Sequence, residues 1–218
     1  MKMDEGSLGN ETADRGDGAG WIALTKGDNK IRIVSGIYMA FKHRMQIDGK
    51  WKQIVCPNAM NDEKDCPICK QAGEWDLDNP ESNQPNPFRY SKAFMVAVID
   101  RKDGVLKILE KGKGVFGQLQ GLINSTDYCP NGKISDLMEF DINIKRDGDG
   151  LATKYQILPL PRPKALTKEE QDMIAKDMPD FEQLTMPKTA EQIRKMLGTS
   201  DDSQATPEAI TEALGDGN

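Results

Sequence analysis

Four residues with the chemistry of metal ligands lie close together in the sequence. Cys56, Cys66 and Cys69 fall within fourteen residues with the spacing C-x9-C-x2-C, and the only histidine, His43, lies thirteen positions before Cys56. Three thiolates and one imidazole form a closed tetrahedral set that is typical of structural zinc. We therefore predict one structural Zn²⁺ ion, bound by these four residues, with no open position for a catalytic water.

The segment between His43 and Cys56 predicts how the two side chains converge. Asp48-Gly49 favours a two-residue turn between strands at 45–47 and 50–55. In that register His43 pairs with Ile54, and Cys56 lies two positions further along the same strand. Because side chains alternate between the faces of a strand, His43 and Cys56 should point to the same face.

Other interpretations of the cysteines stay open at this point. Cys129, within Tyr128-Cys-Pro-Asn-Gly132, is the alternative fourth ligand. The remaining alternatives are a solvent-exposed histidine, a redox-active C-x-x-C pair and a disulfide. A thioredoxin-like pair would accompany a βαβ unit, which the sequence lacks, and disulfides are rare in a chain of intracellular character.

Alternation of apolar residues and turn signals predict the elements around this site. We expect a strand over 31–41 bent at Gly36, hairpins formed by 90–100 with 105–111 and by 137–145 with 152–158, and a helix between those hairpins from the spacing of Val115, Leu119, Leu122 and Ile123. Beyond Pro159, Pro161 and Pro163 the chain should become helical. Capping boxes are predicted at Thr167 and Thr189, and a helix stop at Gly198.

The order of strand, cysteine-bearing insert, two strands, helix and two strands is that of an OB-fold with an insertion. We predict a mainly β (α+β) protein, a five-stranded barrel with an inserted zinc-binding subdomain and a helical, acidic C-terminal segment. The predicted organisation is a disordered acidic N-terminus at 1–20, an OB-fold core at 21–160 with the zinc subdomain at about 43–75, a helical segment at 161–198 and an acidic flexible tail at 199–218.

Charge is distributed unevenly along the 218 residues, although the net charge is −6. Residues 1–20 carry −3, residues 21–168 carry +5 and residues 169–218 carry −8. A basic body between acidic ends is typical of a protein that binds a polyanion and screens that surface with its own tail. A plain solubilising tail is the alternative.

The sequence lacks the motifs of zinc deaminases, phosphate-loop enzymes and triad hydrolases. A zinc nucleobase deaminase needs H-x-E and P-C-x-x-C, but Arg44-Met45 follow His43 and Asp65 precedes Cys66. The sequence has no phosphate-binding loop, and its one histidine is already assigned. Turn and strand-edge chemistry accounts for Asp141, Asp147 and Asp149 better than a nuclease metal site does. We therefore expect no enzymatic activity.

The spacing H-x12-C-x9-C-x2-C resembles the zinc site of the T4-type bacteriophage single-stranded DNA-binding proteins, the helix-destabilising proteins of phage replication, in all three intervals. The run at 88–94, the Gly-Lys-Gly at 112–114 and the acidic C-terminus resemble that family more loosely, so the resemblance covers about residues 21–160 and the tail. It implies an OB-fold core, a structural zinc subdomain and a basic, aromatic-lined cleft between them for single-stranded DNA. The acidic residues 1–20 depart from the family, which has a short basic arm there for cooperative binding.

Sequence-tolerant binding of single strands needs cations for the phosphates and aromatic faces for the bases. The chain interleaves the two on segments that an OB-fold uses for binding. The candidate DNA-binding residues are Lys42, Arg44, Lys50, Trp51, Lys52, Phe88, Arg89, Tyr90, Lys92, Phe94, Lys107, Lys111 and Lys113. Alternation alone does not decide which aromatic side chains stack on bases and which belong to the core.

We expect a protein that coats single-stranded DNA during phage replication, recombination and repair and is monomeric without DNA. Residues 201–218 hold five acidic residues and no basic one, which predicts a tail that competes with DNA and binds replication and recombination proteins. The sequence contains no run of about 18 apolar residues, so we expect no membrane association and a cytoplasmic location, in the host cell if the protein is viral. The second hypothesis is a zinc-ribbon protein–protein adaptor that does not bind DNA.

Overall fold

The computed structural model describes residues 20–61 and 65–198. The chain divides into two compact units. Of the described residues, the first unit contains 20–40 and 92–185, and the second contains 41–91 and 186–198. The predicted N-terminal disorder at 1–19 and the predicted tail at 199–218 lie outside the described residues.

The described elements are eight strands, seven α-helices and one short 3-10 helix at Gly150–Ala152. The strands are β1 (Gly20–Trp21), β2 (Gly27–Ile33), β3 (Tyr38–Ile47), β4 (Lys50–Val55), β5 (Ser91–Asp100), β6 (Val105–Lys111), β7 (Phe140–Asp147) and β8 (Lys154–Pro163). The helices are α1 (Pro57–Asn61), α2 (Pro67–Asp78), α3 (Lys113–Ile123), α4 (Ile134–Leu137), α5 (Lys168–Asp177), α6 (Phe181–Thr185) and α7 (Ala190–Leu197).

The first unit is built on a mixed sheet with the strand order β1-β6-β5-β2-β7-β8. Only β1 and β6 pair in parallel, and every other neighbour along this path is antiparallel. A mixed sheet with several helices agrees with the predicted α+β class. The predicted closed five-stranded barrel is not confirmed, because no ladder between β6 and β8 is found among the described residues. Instead, α3 contacts both of these strands.

Strand alternation builds the core of the first unit. Successive side chains of a strand point to opposite faces, so every second residue of β2, β5 and β7 faces α3. The residues of these strands that belong to this core cluster are Ile31, Ile33, Val96, Val98, Ile142 and Ile144, and α3 adds Val115, Phe116, Leu119 and Ile123. The predicted helical spacing around Leu119 is therefore confirmed, and it marks the face that packs on the sheet.

A charged network lies on the other side of β2. Arg32, between Ile31 and Ile33, donates from Nε to Asp141 Oδ1 at 2.8 Å, and Arg101 donates to the same oxygen from Nε at 2.9 Å. Arg101 also pairs with Glu170 in the first turn of α5. The network thus connects α5 to the sheet of the first unit.

Two strand predictions are wrong in detail. The strand expected over 31–41 is interrupted, because β2 ends at Ile33 and the Ser35 hydroxyl accepts a hydrogen bond from the Ala97 amide at 2.8 Å. The strand expected over 152–158 is longer than predicted, since β8 runs from Lys154 to Pro163, and α5 begins at Lys168, beyond the three prolines as expected. Proline is tolerated here because β8 is an edge strand, where an outward N–H needs no partner.

The predicted helix boundaries near the C-terminus are confirmed. Thr167 with Glu170 and Thr189 with Gln192 form reciprocal capping boxes at the starts of α5 and α7. Gly198 ends α7 with φ of 70°, a left-handed conformation that favours glycine. None of the helices in the described ranges is long and apolar enough to cross a bilayer.

Candidate metal centre and nucleic-acid interface

The hairpin of β3 and β4 positions the first two candidate ligands in the second unit. Asp48 and Gly49 both have positive φ, 53° and 76°, as a tight primed turn requires. The resulting register pairs His43 with Ile54, as predicted. Cys56 follows β4, and its amide donates to the Phe41 carbonyl at 2.8 Å, so His43 and Cys56 both lie on the buried side of the hairpin.

The other two candidate ligands belong to the start of α2. Cys66 is the N-cap residue, and Pro67 occupies the first helical turn, where a missing N–H costs no hydrogen bond. Cys69 lies three residues further on, so the two thiols share one side of that turn. A helix N-terminus also favours negative charge, which suits thiolate ligands. The sequence predicted the C-x-x-C pair but not the helix that carries it.

The four candidate ligand atoms lie at distances from one another that fit tetrahedral coordination of one ion. Cys56 Sγ lies 3.5 Å from Cys69 Sγ, and His43 Nε2 lies 3.5 Å from Cys66 Sγ and 3.6 Å from Cys69 Sγ. All four atoms lie within 4.8 Å of one another. Zn–S and Zn–N bond lengths imply edges of about 3.8 Å between two sulfurs and about 3.6 Å between sulfur and nitrogen. The cluster can therefore bind one metal ion.

The hydrogen bond made by Nδ1 of His43 determines which ring nitrogen faces the other candidate ligands. Nδ1 lies 2.7 Å from the Phe88 carbonyl oxygen, which can only accept a hydrogen bond, so Nδ1 carries the proton. Nε2 then presents its lone pair toward Cys66 and Cys69. This is the arrangement in which a backbone carbonyl behind the ring orients a metal-binding histidine.

Burial and mutual contacts shift the thiol pKa values apart. Burial raises the pKa of Cys56, and burial together with the neighbouring Cys56 thiol raises the pKa of Cys69 to about 12. Burial opposes ionisation of Cys66 as well, but the contacts with His43 and Cys69 together outweigh it and lower the pKa of Cys66 to about 7. A bound cation would favour the thiolate form of all three.

The alternatives to this ligand set are not supported. Cys129 packs in the apolar core of the first unit, and all four cysteines are free thiols. Within residues 20–61 and 65–198, no second group of three or more histidine, cysteine or acidic side chains is arranged to hold a metal ion. Asp141 instead pairs with two arginines, and Asp149 pairs with Lys26 and Arg146.

Several of the predicted DNA-binding residues lie on the outer face of the hairpin. Trp51 is 60% exposed, and the Arg44 guanidinium carbon lies 4.9 Å from the centre of its ring. Lys50 and Lys52 alternate with Trp51 and so belong to the opposite face of the hairpin, where Lys50 is exposed beside the turn and Lys52 is half-buried with its ammonium 4.0 Å from Asp48. Lys42 is only 7% exposed, so it contributes least to the outer face.

The segment at 88–91 has a structural role in the second unit. Phe88 packs against the metal-ligand cluster, and Arg89 pairs with Asp76 of α2 at 2.8 Å. Tyr90 is exposed on one side and makes edge contacts with the rings of Phe41 and His43, with centroid distances of 5.3 and 5.8 Å. Lys92, the next residue along the chain and part of the first unit, is exposed.

The predicted DNA-binding residues of the first unit differ in their surroundings. Phe94 stacks on Phe116 with ring centres 5.3 Å apart and packs on the apolar core. Lys107 is bound by Asp100 at 2.8 Å and by Asp103. Lys111 lies 5.3 Å over the Tyr155 ring, and Lys113 is exposed in the first turn of α3.

Some residues that support the metal centre could not be found from their sequence pattern. Asn86 holds the segment that orients His43, because its side-chain oxygen accepts from the Phe88 amide and its nitrogen donates to the Ala72 carbonyl, at 2.9 and 2.8 Å. Ile193 of α7 lies in the same buried cluster as Cys56 and Cys66. The sequence signals for α7 were its capping box and the helix stop at Gly198, which say nothing about where the helix packs.

The chain has a distant similarity to a bacteriophage protein. A scan against protein-family models finds no match. A protein of Escherichia phage T5 named "Probable ssDNA-binding protein" is 21% identical over 157 residues, which cover 69% of this chain. The matched region spans 59% of the length of that phage protein. The chain is thus similar to a phage protein named for single-stranded DNA binding, at a coarse level and without a specific likeness to the T4-type family.

Proposed function

We propose that this protein binds single-stranded DNA with little sequence preference and coats it during phage DNA replication, recombination and repair. The observation that carries the proposal is the outer face of the β3–β4 hairpin, where a largely exposed indole lies under a guanidinium. Bases of any type stack on such aromatic faces, and cations beside them neutralise phosphates. The name of the phage T5 relative supports the same function.

The surroundings of the candidate residues suggest different roles within this proposal. Arg44, Lys50 and Lys113 are exposed and suit phosphate contacts, and Trp51 and Tyr90 expose ring surface for stacking. Burial would lower the pKa of Lys107, but its hydrogen bonds to Asp100 and Asp103 outweigh burial and raise it. Because these carboxylates compensate its charge locally, Lys107 should contribute less to phosphate binding than Lys113.

We propose Zn²⁺ as the metal of the second unit, with a structural role. Three thiolates and an imidazole are the donors that zinc prefers. The distances between the sulfur and nitrogen atoms are close to those expected when all of them bind one zinc ion. When bound, the ion would cross-link the hairpin to α2 and supply no chemistry on a substrate. His43, Cys56, Cys66 and Cys69 would fill its coordination, consistent with a binding protein and not an enzyme.

An OB-type arrangement of the first unit is also part of the proposal. Along the chain, β2, β5, β6, α3, β7 and β8 follow the expected order of elements, and in the sheet the strands lie in the order β6-β5-β2-β7-β8. Helix α3 contacts β6 and β8, the two strands that a closed barrel would pair. OB-folds are partly open barrels that bind oligonucleotides on this kind of sheet. We further propose a protein that is monomeric without DNA, located in the host cytoplasm, whose acidic residues 199–218 compete with DNA and bind replication and recombination proteins.

The test is a titration of the purified protein with fluorescently labelled oligo-dT at several salt concentrations. We expect binding to single strands to exceed binding to duplex greatly, and log K to fall against log salt by roughly 0.7 per phosphate neutralised. Trp51→Ala should weaken binding by about 1–3 kcal/mol if the indole stacks on a base.

A matched control separates stacking from a general loss of apolar surface. Leu77, in α2 of the same unit, is 81% exposed, and Leu77→Ala should leave the affinity for oligo-dT unchanged. Equal binding of duplex, or the absence of a salt dependence, would contradict the proposal. A protein that binds no oligonucleotide but captures protein partners would instead support the zinc-ribbon adaptor.

A further inference from the structure

Helix α7 packs on the metal-ligand cluster within the second unit. Ile193 is fully buried, at 0% exposure, in the cluster that contains Cys56, Cys66 and Ile68. Met196 and Leu197, from the same helix, pack partly buried against that cluster. The apolar face of α7 is therefore covered by the side chains of two candidate ligands and their neighbours.

An ion-pair arrangement connects the same helix to the C-x-x-C segment. Arg194 donates from Nη2 to Asp65 Oδ2 at 2.8 Å, and Lys70 Nζ lies 2.7 Å from the other oxygen of that carboxylate. Asp65 immediately precedes Cys66, and Lys70 immediately follows Cys69. One carboxylate thus joins α7 to both ends of the segment that supplies two ligands.

Neither α7 nor the metal-binding surface beneath it is expected to be stable alone. The eight residues of α7 have good caps at Thr189 and Gly198, but isolated helices shorter than about 12 residues are marginal in water. The surface beneath the helix is made largely of ligands and a few isoleucines, and such small metal-binding units take their structure from the ion.

We propose that α7 and the metal centre fold as one unit. Metal binding organises the surface on which α7 docks, and by thermodynamic reciprocity α7 docking raises the metal affinity by the same factor. This inference rests on the proposed zinc site and not on DNA binding. Residues 199–218 follow α7 directly, so the metal also determines where the acidic segment leaves the second unit.

The first test compares zinc affinity in three full-length variants by competition with a chromophoric chelator. Ile193→Ala should weaken zinc binding about tenfold, the lower end of the effect seen when groups that support metal ligands are removed. Arg194→Ala should weaken it by up to about fivefold, because its ion pair is partly exposed. Lys195→Ala, at an exposed position of the same helix, is the matched control and should leave the affinity unchanged.

The second test measures hydrogen exchange at 190–197 in the unaltered protein before and after zinc is removed with a chelator. Amides of α7 should exchange much faster without zinc, whereas those of α3 in the first unit should not change. Equal protection of α7 in both states, or an Ile193→Ala variant that binds zinc as tightly as the parent, would overturn the coupling alone. A protein that binds no zinc at all would overturn the metal site and the coupling together.

Discussion

The buried clusters of the two units differ in what they are made of. In the first unit, isoleucine, valine and leucine side chains from β2, β5, β7 and α3 pack together. The corresponding cluster described in the second unit contains four isoleucines and two cysteines, and both cysteines are candidate metal ligands. A core that consists partly of ligands loses packing as well as coordination when the metal leaves. The comparison teaches that the first unit should be stable by burial alone, whereas the second should depend on its ion.

The largest expected effect comes from removing a ligand. Cys66→Ser should abolish zinc binding and unfold the second unit, because structural zinc contributes about 10–16 kcal/mol in small metal-binding domains. Elemental analysis and peptide-resolved hydrogen exchange would measure the two losses. Cys129→Ser, a buried cysteine of the first unit, is the control and should keep its zinc. If amides at 43–75 remain protected from hydrogen exchange in Cys66→Ser, the fold of the second unit does not depend on its metal ion.

A cavity created in the core of the first unit should lower the stability of the fold but leave zinc binding unchanged. Leu119→Ala, at a fully buried position of α3, should lower the free energy of unfolding by about 2–5 kcal/mol without changing the zinc content. Denaturant unfolding and metal analysis on the same sample would check both statements. Loss of zinc in Leu119→Ala would show that the second unit does not hold its metal independently.

The ion-pair network of the first unit predicts a pH-dependent effect. Burial would raise the pKa of Glu170, but the Thr167 amide and the Arg101 guanidinium outweigh it, so the pKa lies below its usual value. A carboxyl with a lowered pKa stabilises the fold above its unfolded-state pKa, and this contribution disappears as the pH falls through the folded-state value. Glu170→Gln should therefore lower the free energy of unfolding by about 1.5–3 kcal/mol at pH 7 and by far less at pH 3.

Glutamine is the appropriate replacement at this position because it preserves the helix cap. Gln192 forms the reciprocal capping bond at the start of α7, so glutamine can do the same at the start of α5. The substitution then isolates the pair with Arg101. An equal loss of stability at both pH values would assign the effect to packing.

The smallest effect is expected on the outer face of the hairpin. A cation over an exposed aromatic ring contributes about 0.5–1 kcal/mol. A double-mutant cycle with Arg44→Gln and Trp51→Ala should give a coupling of that size in the free energy of unfolding. No coupling would mean that the Arg44 side chain contributes to stability independently of the indole.

Local chemistry made the ligand geometry predictable from the sequence. Asp48-Gly49 defines a turn with both φ values positive, and this turn fixes the strand register that places His43 and Cys56 on one face. The capping boxes at Thr167 and Thr189 were equally predictable from the sequence, because each involves residues only three positions apart. Such signals are contained within a few residues and do not depend on the rest of the fold.

Long-range packing explains what the sequence did not reveal. Helix α2 carries Cys66 and Cys69 but has only one buried residue, Ile68, so no apolar repeat marked it. Phe94 resembled a base-stacking residue in its basic surroundings, yet its ring packs on Phe116 of α3. Asp65 and Arg194 are 129 residues apart, and only the folded chain brings them together.

The tight turn at Asp48 and Gly49 also limits how the chain can change during evolution. The side chains of the hairpin alternate between two faces, so one residue added to the turn and kept in the ladder would place His43 and Cys56 on opposite faces. An addition of two residues would keep them together. In related chains that retain the metal, residues added within the paired strands of this hairpin should therefore come in even numbers, whereas the unpaired loop can vary in length as long as the register is kept.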